Sequence, residues 1–339
     1  MREPFWWGDG AAAGAVRILM APLAAAWWAG SKARNMAYDI GLARAGRSEI
    51  PVVSVGNITV GGTGKTPVAA WIAQQLRERG VAPGIVLRGY GDDENLVHRL
   101  LTPDAVVVAD PDRVRGIAAA RRAGATGAIL DDGHQHRRAR RDVNLVLVSA
   151  DVPWPRWLLP AGPLRETWAD GLRRAHLVLV TAKAATEGQV AATVEAVRRH
   201  GAPAVAVLRL RLDSLHRVGS AEPKGLQALA GARVLAVSGV ANPAPFHRQL
   251  QATGAVVDTL VFGDHHAFQP SDVEHIVVRA READFVVCTL KDAVKLQGSW
   301  PQSGPGLWYV SQRVEPIAGA AEIEAALDRV STRPDTPHT

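Results

Sequence analysis

Residues 50–80 carry the pattern that most constrains how this chain can fold. "IPVVSV" (50–55) is a short, β-branched and apolar run, which predicts a buried strand of a parallel sheet. The glycine-rich turn "GNITVGGTGKT" (56–66) follows, and "PVAAWIAQQLRERG" (67–80) then places apolar residues at a helical spacing before it ends on a glycine. A strand, a glycine-rich loop, a Lys-Thr pair and a helix in this order predict a phosphate-binding loop in an α/β fold.

This loop predicts a nucleotide site. Backbone N–H groups and the helix N-terminus would hold phosphate oxygens, Lys65 would reach the β- and γ-phosphates of ATP, and the Thr66 hydroxyl would bind Mg²⁺. Thr59 stands where the strict pattern G-x-x-x-x-G-K-[ST] has its first glycine. The alternative is an ordinary glycine-rich turn, which the strand and helix in register disfavour. The residues predicted to bind the nucleotide are Thr59, Gly61, Gly62, Thr63, Gly64, Lys65 and Thr66.

Residues 124–136, "GATGAILDDGHQH", predict an apolar strand that ends in two carboxylates. A P-loop fold places its Mg²⁺-binding aspartate at the carboxyl end of such a strand, so Asp131 and Asp132 are candidate metal ligands. The alternative is a solvated turn, since Asp-Asp-Gly is also typical of turns. The phosphate-binding loop upstream favours the metal interpretation.

Further strand-forming runs predict an α/β protein with a mostly parallel, P-loop NTPase-like sheet and helices on both faces. The run 203–218 alternates apolar and basic residues, as a half-exposed strand does, and strand–loop–helix units then repeat to residue 296. The expected units are an N-terminal membrane-associated helix with a basic flank (1–48), a P-loop kinase core (49–205), a strand-like connector (206–222), a smaller α/β lobe that closes over the site (223–330) and a disordered tail (331–339).

Residues 11–30 form the most apolar segment of the chain. Twenty helical residues at ~1.5 Å each reach ~30 Å, about the thickness of a bilayer's hydrocarbon core. The pairs Trp6-Trp7 and Trp27-Trp28 flank the segment and resemble an aromatic belt. We expect a membrane-associated helix; the alternative is an Ala-rich helix that packs on the protein itself.

Charges within and after this segment bear on how it meets the membrane. Basic residues follow it, so its downstream side is predicted to be cytoplasmic. Arg17 and Pro22 lie inside the segment and weigh against a complete span. A helix that spans and a helix that lies in the interface both stay open. The basic residues are Lys32, Arg34, Arg44 and Arg47.

Composition narrows the class of protein without deciding its function. The formal net charge of +6 favours nucleic acid, an anionic membrane surface or phosphorylated substrates, and does not choose among them. The single cysteine, Cys288, excludes a disulfide framework and fits a reducing compartment. Its apolar surroundings, "DFVVCTL", predict a buried strand residue rather than a nucleophile.

The glycine-rich loop region, the acidic segment after it and the apolar N-terminal segment together resemble one family. This family is the tetraacyldisaccharide 4'-kinases, which are the lipid A kinases of the Gram-negative envelope. Thr59 in place of glycine is normal for that family, and "VGNITVGGTGKT" followed by "DDGxQH" is highly specific for it. The resemblance covers most of the chain in the family's order: "PVVSVGNITVGGTGKTP" (51–67), "RGYG" (88–91), "DDGHQH" (131–136), "GPLRE" (162–166), "SGVANPAPF" (238–246), "DHHAF" (264–268) and "TLKDAVKL" (289–296).

The resemblance implies ATP-dependent phosphorylation of the 4'-hydroxyl of a membrane-held, acylated glucosamine disaccharide 1-phosphate. The implied cofactors are ATP and Mg²⁺, and the implied place is the cytoplasmic face of the bacterial inner membrane. The implied partners are the lipid substrate and the membrane surface; we expect no nucleic acid and no obligate protein partner.

The resemblance also implies roles for individual residues. The family has an Asp-Glu pair after "RGY", whose Asp acts as the base with a distant histidine; Asp93, Glu94 and His265 match these positions best. Asn95 replaces the family's usual proline and the spacing is compressed, so Asp92 stays a second candidate base. We therefore expect catalysis by Asp93, His265 and Lys65, metal binding by Thr66, Glu94, Asp131 and Asp132, and substrate binding by Asn57, Gln135, His136, Arg165 and Glu166.

Two positions depart from the family's pattern. His134 replaces the usual aromatic residue, and Ala161 stands where an arginine is common, which removes one expected phosphate contact. The run "RRARR" (137–141) could hold the substrate's 1-phosphate or anionic headgroups, or could be a solvated face.

The proposed roles fit the chemistry of phosphoryl transfer. A sugar hydroxyl is a weak nucleophile, so a carboxylate that accepts its proton assists the attack. Asp93 and His265 lie far apart in the chain and can meet only if the carboxy-terminal lobe folds over the P-loop lobe. The alternative for His265 is a surface histidine beside Asp264.

Two other classes of protein compete with a lipid kinase. A membrane-docked P-loop ATPase that positions other proteins has a lysine just before the Gly-Gly pair, where this chain has Val60. A basic nucleic-acid-binding NTPase would interleave aromatic and basic residues near the loop, which this sequence does not do.

Overall fold

The protein alternates strands and helices along most of its length. The computed structural model describes Trp6 and residues 10–89, 93–220 and 222–332. The first half contains α1 (Ala11–Asp39), β1 (Val52–Asn57), α2 (Lys65–Glu78), β2 (Pro83–Leu87), α3 (Asp93–Leu101), β3 (Val106–Ala109), α4 (Arg113–Arg122), β4 (Gly127–Asp131), β5 (Val143–Ser149), α5 (Trp168–Leu172), β6 (Leu177–Ala182) and α6 (Glu187–Arg199).

The second half continues the alternation after two antiparallel strands. It contains β7 (Val205–Arg217), β8 (Pro223–Gly225), β9 (Arg233–Ser238), α7 (Ala244–Gln251), β10 (Val256–Val261), α8 (Pro270–Arg279), β11 (Phe285–Thr289), α9 (Leu290–Leu296), β12 (Leu307–Ala318) and α10 (Ala320–Ser331).

Within the described residues the strands form one twelve-stranded sheet in the order β10-β9-β11-β12-β7-β6-β5-β1-β4-β2-β3, with β8 beside β7. Pairings are parallel except for β7 with β12 and β7 with β8. The predicted mostly parallel α/β sheet is therefore confirmed. Since β1 lies between β4 and β5, the chain leaves β1 at a point where the strand order reverses, and such points place binding sites at the carboxyl ends of strands.

The core forms on both faces of the sheet because neighbouring side chains of a strand point in opposite directions. On β5, Leu145 and Leu147 pack with α2 and α10, whereas Val146 and Val148 pack with α5 and α6. Both faces of the central strands are buried, which explains why their sequences are continuously apolar. Cys288 lies fully buried in β11, as its apolar run predicts.

The long antiparallel pair β7–β12 joins the two halves of the sheet. Strand β7 covers most of the predicted connector 206–222, and its partner β12 also pairs with β11 of the carboxy-terminal part. The sheet therefore continues from one part into the other. The exact domain boundaries stay a prediction.

Three elements differ in extent from the sequence predictions. Helix α1 continues to Asp39, nine residues past the predicted apolar segment, and passes through Pro22 without ending. Helix α2 begins at Lys65, two residues early, because Gly64 adopts the left-handed conformation (φ 87°) that ends the loop. Helix α10 continues through Ser331, while residues 333–339 of the predicted tail lie outside the described residues. Trp7 also lies outside them.

A matched pair of substitutions tests the position of the central strands. Val180 in β6 is fully buried, whereas Val278 in α8 is 53% exposed. Val180→Ala should lower the free energy of unfolding by about 2–3 kcal/mol, from lost burial plus the cavity left behind. Val278→Ala should change it by less than about 0.5 kcal/mol. Urea denaturation measures both, and equal losses would contradict the assigned burial.

Candidate active site

One large cavity of about 1950 Å³ opens at the carboxyl ends of the central strands. Residues of the glycine-rich loop, of α3 and of the β4–β5 connection line one side, while the carboxy-terminal part contributes the segment 264–268 and α9. Helix α1 lines its mouth through Trp27, Gly30, Ser31 and Arg34. The glycine-rich loop, the two carboxylates at the end of β4 and the apolar helix α1 therefore all line the same cavity.

The loop after β1 has the backbone conformation of a phosphate cradle. Gly61 and Gly64 have positive φ angles of 117° and 87°, which side-chain-bearing residues rarely adopt. At Gly64 a Cβ atom would also lie 2.7 Å from Leu210 Cδ2. Lys65 and Thr66 then occupy the first turn of α2, so the helix N-terminus points its free N–H groups toward the cavity.

Buried hydrogen bonds hold the loop in this shape. Asn57 Nδ2 donates to Thr63 Oγ1 at 3.1 Å, and Thr181 Oγ1 donates to the Thr63 carbonyl at 2.9 Å. Lys183 Nζ donates to the Gly62 carbonyl at 3.0 Å. The side chains from β1 and β6 fix the loop from below, and Lys183 adds a cation beside it.

The absent first glycine of the loop has a structural explanation. Thr59 is buried and forms an isolated antiparallel bridge with Leu164, and the Val60 N–H donates to the Pro163 carbonyl. The first half of the loop packs on this neighbouring segment instead of turning freely, so it does not need the conformational freedom of a glycine at position 59. The predicted nucleotide contact of Thr59 stays a prediction.

Asp131, the last residue of β4, presents one free oxygen. Its Oδ2 lies 2.8 Å from Nε2 of the buried His98, whereas its Oδ1 is buried without a hydrogen-bond partner among the described residues. Burial raises the pKa of Asp131, but the His98 hydrogen bond and nearby charges outweigh it and lower the pKa. The carboxylate is therefore ionised, with an oxygen available for a cation.

Asp132 is the centre of a charge network. It has a positive φ of 53°, and its carboxylate lies 3.7 Å from Lys65 Nζ and accepts from Arg165 Nη1 at 2.9 Å. Burial opposes ionisation, but Lys65 and Arg165 outweigh it and lower the pKa of Asp132 to about 2. Burial lowers the pKa of Lys65, and the negative charge of Asp132 opposes part of this shift.

These residues fit a magnesium ion. Mg²⁺ takes one or two protein carboxylates and completes its shell with phosphate oxygens and water. Asp131 Oδ1 is an orphaned buried acceptor, and Asp132 and Thr66 line the same cavity. In the described ranges no group of three His, Cys, Asp or Glu side chains is placed to hold a metal ion.

Asp93 and Glu94 begin α3 and face the carboxy-terminal part of the protein. Lys295 Nζ lies 3.4 Å from Asp93 Oδ2, and Lys291 Nζ lies 3.5 Å from Glu94 Oε1. Neither lysine was predicted to contact these carboxylates. Both lie on the short helix α9, four residues apart, within the motif "TLKDAVKL". Asp92, the second candidate base, lies outside the described residues.

His265 lies on the rim of the cavity in a strained conformation. It has a positive φ of 56°, is 54% exposed at its side chain, and lies 4.0 Å from Asp264. No hydrogen bond or ion pair joins it to Asp93 among the residues described. The two predicted partners therefore share the cavity without contact, and their pairing stays a prediction.

The remaining predicted substrate residues divide into two layers. Gln135, His136 and Arg165 line the cavity, whereas Asn57 and Glu166 lie buried beneath it. Burial, reinforced by nearby arginines, lowers the pKa of His136 to about 4, so its ring is neutral at neutral pH.

Hydrogen bonds connect the two layers. Gln135 Nε2 donates to the Asn57 carbonyl at 2.8 Å and to Glu166 Oε1 at 3.1 Å, and Arg174 Nη2 donates to Glu166 at 2.7 Å. Asn57 and Glu166 thus support the cavity wall in this structure. His134 belongs to the same buried layer, where it contacts Asn144 and Arg174, and burial lowers its pKa to about 4.

Helix α1 is anchored beside the site along one face. Trp27 Nε1 donates to the Arg165 carbonyl at 2.8 Å, Asn35 Nδ2 donates to Glu166 Oε2 at 3.3 Å, and Lys32 forms an ion pair with Asp170. The helix is long and apolar enough to cross a membrane, and 6% of its most apolar window is buried. The apolar side chains that this helix exposes are Ile18, Leu19, Leu23, Trp28 and Met36.

Two arginines of the run 137–141 form contacts within the protein. Arg137 contacts Asp39 and the Asn35 carbonyl of α1, and Arg141 Nη1 donates to the Gly133 carbonyl. None of the run's arginines belongs to the described cavity lining. Its predicted contact with phosphate or headgroups stays open.

Comparison with known proteins gives a consistent family. The model of the tetraacyldisaccharide-1-P 4'-kinase family matches residues 16–332. Similar curated proteins, each named tetraacyldisaccharide 4'-kinase, come from Syntrophus aciditrophicus (35% identical, covering 84% of this chain and 85% of the relative) and Anaeromyxobacter sp. Fw109-5 (36% identical, covering 98% and 97%).

A solved structure agrees with these relatives. The "apo" form of the Aquifex aeolicus protein of this family, crystallised in complex with ATP, is 26% identical, covers 93% of this chain and 99% of its own, and superposes with a TM-score of 0.73. With the glycine-rich loop, the paired carboxylates and the apolar α1 meeting at one cavity, this chain belongs to the tetraacyldisaccharide-1-phosphate 4'-kinase family.

Proposed function

We propose that this protein transfers the γ-phosphoryl group of ATP to the 4'-hydroxyl of an acylated glucosamine disaccharide 1-phosphate. The observation that carries the proposal is the shared cavity, which is lined by the glycine-rich loop, by Asp131 and Asp132, and by one face of the apolar α1. A site for a soluble acceptor does not require an apolar helix beside it, whereas such a helix suits an acylated acceptor.

The loop and α2 would bind the triphosphate. Gly61, Gly62 and Gly64 offer backbone N–H groups, and Lys65 would leave Asp132 to contact the β- and γ-phosphates. Asp131, Asp132 and Thr66 would hold Mg²⁺, which when bound neutralises charge on the phosphates. Glu94, predicted as a further ligand, has Lys291 as its neighbour in this structure.

Asp93 would act as the general base. The 4'-oxygen attacks the γ-phosphorus as its proton passes to the Asp93 carboxylate, while the bond from phosphorus to the β,γ-bridging oxygen breaks and ADP leaves. Closure of segment 264–268 toward α3 would bring His265 to Asp93 and exclude water from the reaction. Arg165, beside Asp132, would contact phosphate oxygens as charge redistributes.

The lipid would reach the cavity along α1. The apolar side chains exposed on this helix suit the acyl region of a bilayer. Ala26 and Gly30, on the same stripe of the helix as Leu19 and Leu23, line the cavity, so acyl chains could stay in the membrane while the sugar enters. The basic residues after the apolar segment, Lys32 and Arg34 among them, favour the cytoplasmic face of the inner membrane, where ATP is available.

A labelling experiment tests the function. Purified protein with γ-labelled ATP and detergent-dispersed acyl-disaccharide 1-phosphate should produce a labelled product that extracts with lipid. Lys65→Met should lose about 10²-fold or more in kcat, because a preorganised charge on the phosphates is removed. Label released only as inorganic phosphate, independent of the lipid, would instead indicate an ATPase with a non-lipid role.

An isosteric substitution tests the base. Asp93→Asn removes the proton acceptor and should lower kcat by about 10²–10⁴-fold, while ATP binding measured by calorimetry stays near wild type. Asp92→Asn is the control at the neighbouring candidate. Near-wild-type turnover in Asp93→Asn together with lost turnover in Asp92→Asn would assign the base to Asp92.

Charges placed on the face of α1 that carries Leu19 and Leu23 test membrane docking. Leu19 and Leu23 are 71% and 57% exposed, so Leu19→Asp with Leu23→Asp should preserve folding yet reduce co-sedimentation with phospholipid vesicles more than about tenfold. Val278→Asp, on an exposed site of α8, is the matched control and should sediment like the wild type. Unchanged sedimentation of the double variant would refute docking through this face.

A further inference from the structure

We propose that His98 is a positioning residue that aims Asp131 at the bound cation and ties α3, which carries the candidate base, to the phosphate-binding sheet. The inference deepens the proposed function and rests on it for the roles of Asp131 and Asp93.

The contact between His98 and Asp131 is direct and buried. His98 is fully buried in α3, and its Nε2 lies 2.8 Å from Asp131 Oδ2, which is also buried. An ionised carboxylate can only accept a hydrogen bond, so the Nε2–H group donates. Buried charge-assisted hydrogen bonds of this length fix geometry strongly.

The same contact selects which oxygen stays available. With Oδ2 held by His98, Asp131 Oδ1 is left without a partner in the part of the chain that the structure describes. Arg113 Nη2 donates to the backbone carbonyl of Asp131 at 3.3 Å and restrains the residue from the other side. Partners that orient a ligating carboxylate in this way typically change metal affinity by about 10–100-fold when they are removed.

His98 also fixes the helix that begins with Asp93. Five residues at ~1.5 Å per residue separate the two along the α3 axis, about 7.5 Å. Ion pairs of Asp93 with Lys295 and of Glu94 with Lys291 connect the helix start to the carboxy-terminal part. His98 is therefore a buried polar link between the helix that carries the base and Asp131 in the P-loop part.

Two amide substitutions separate positioning from simple packing. In His98→Gln the amide nitrogen can occupy the place of Nε2 and restore the hydrogen bond to Asp131. In His98→Asn the shorter side chain places its amide near the former position of the His98 Nδ1 atom. This amide is polar but cannot reach Asp131 Oδ2. Thr102→Val is the control, since Thr102 Oγ1 donates to the His98 carbonyl and its loss perturbs α3 without touching Asp131.

Calorimetric titration should use ATP with Mg²⁺ and ATP with EDTA, without lipid. His98→Asn should weaken binding of Mg²⁺–ATP about 10–100-fold while binding of metal-free ATP stays within about twofold. His98→Gln and Thr102→Val should bind both forms like the wild type. Thermal unfolding of each variant checks that it is folded.

In the kinase assay His98→Asn should also lower kcat, with the KM for the lipid unchanged. Equal binding of Mg²⁺–ATP by His98→Asn and the wild type, or equal losses in the Gln and Asn variants, would overturn the inference. The binding measurements do not depend on lipid turnover. If the wild-type protein had no lipid kinase activity, the proposed function would be wrong, but the titrations would still test the role of His98.

Discussion

The parallel pairing of β1 with β4 is the constraint on which the site depends. Val55 lies opposite Asp131 in this pairing, so the glycine-rich loop that follows β1 and the carboxylates that end β4 emerge side by side. Neither strand alone makes a site: the loop supplies N–H groups and a lysine, and β4 supplies the opposing charge. Burial of both strands by helices on each face keeps this register, because a slip by one residue would turn apolar side chains to the wrong face.

The charges at this edge compensate one another before any ligand binds. Lys65 and Arg165 stabilise the ionised Asp132, while His98 holds Asp131. In the proposed function, a triphosphate would bring negative charge and a cation positive charge, so Lys65 would contact the phosphates and Asp132 the metal. Internal ion pairs would then be replaced by ligand contacts with little net desolvated charge.

A short segment, residues 163–166, connects the glycine-rich loop to helix α1. Its backbone supports the glycine-rich loop through the Pro163 carbonyl, its Arg165 side chain contacts Asp132, and the Arg165 carbonyl and Glu166 side chain receive hydrogen bonds from α1. Helix α1 and the phosphate site are therefore joined through few covalent and hydrogen-bonded steps.

The sequence by itself determined what depends on neighbours along the chain. The strand–loop–helix at residues 50–80, the acidic end of β4, the apolar α1 and the buried Cys288 all follow from local spacing and side-chain type, and the motifs around them indicate the family. The tertiary structure decided which distant groups meet: Lys295 with Asp93, His98 with Asp131, and Lys183 with the loop. It also placed Asn57 and Glu166 beneath the cavity and left His265 apart from Asp93. These contacts depend on strand order and on how helices cross the sheet, and local periodicity carries no information about either.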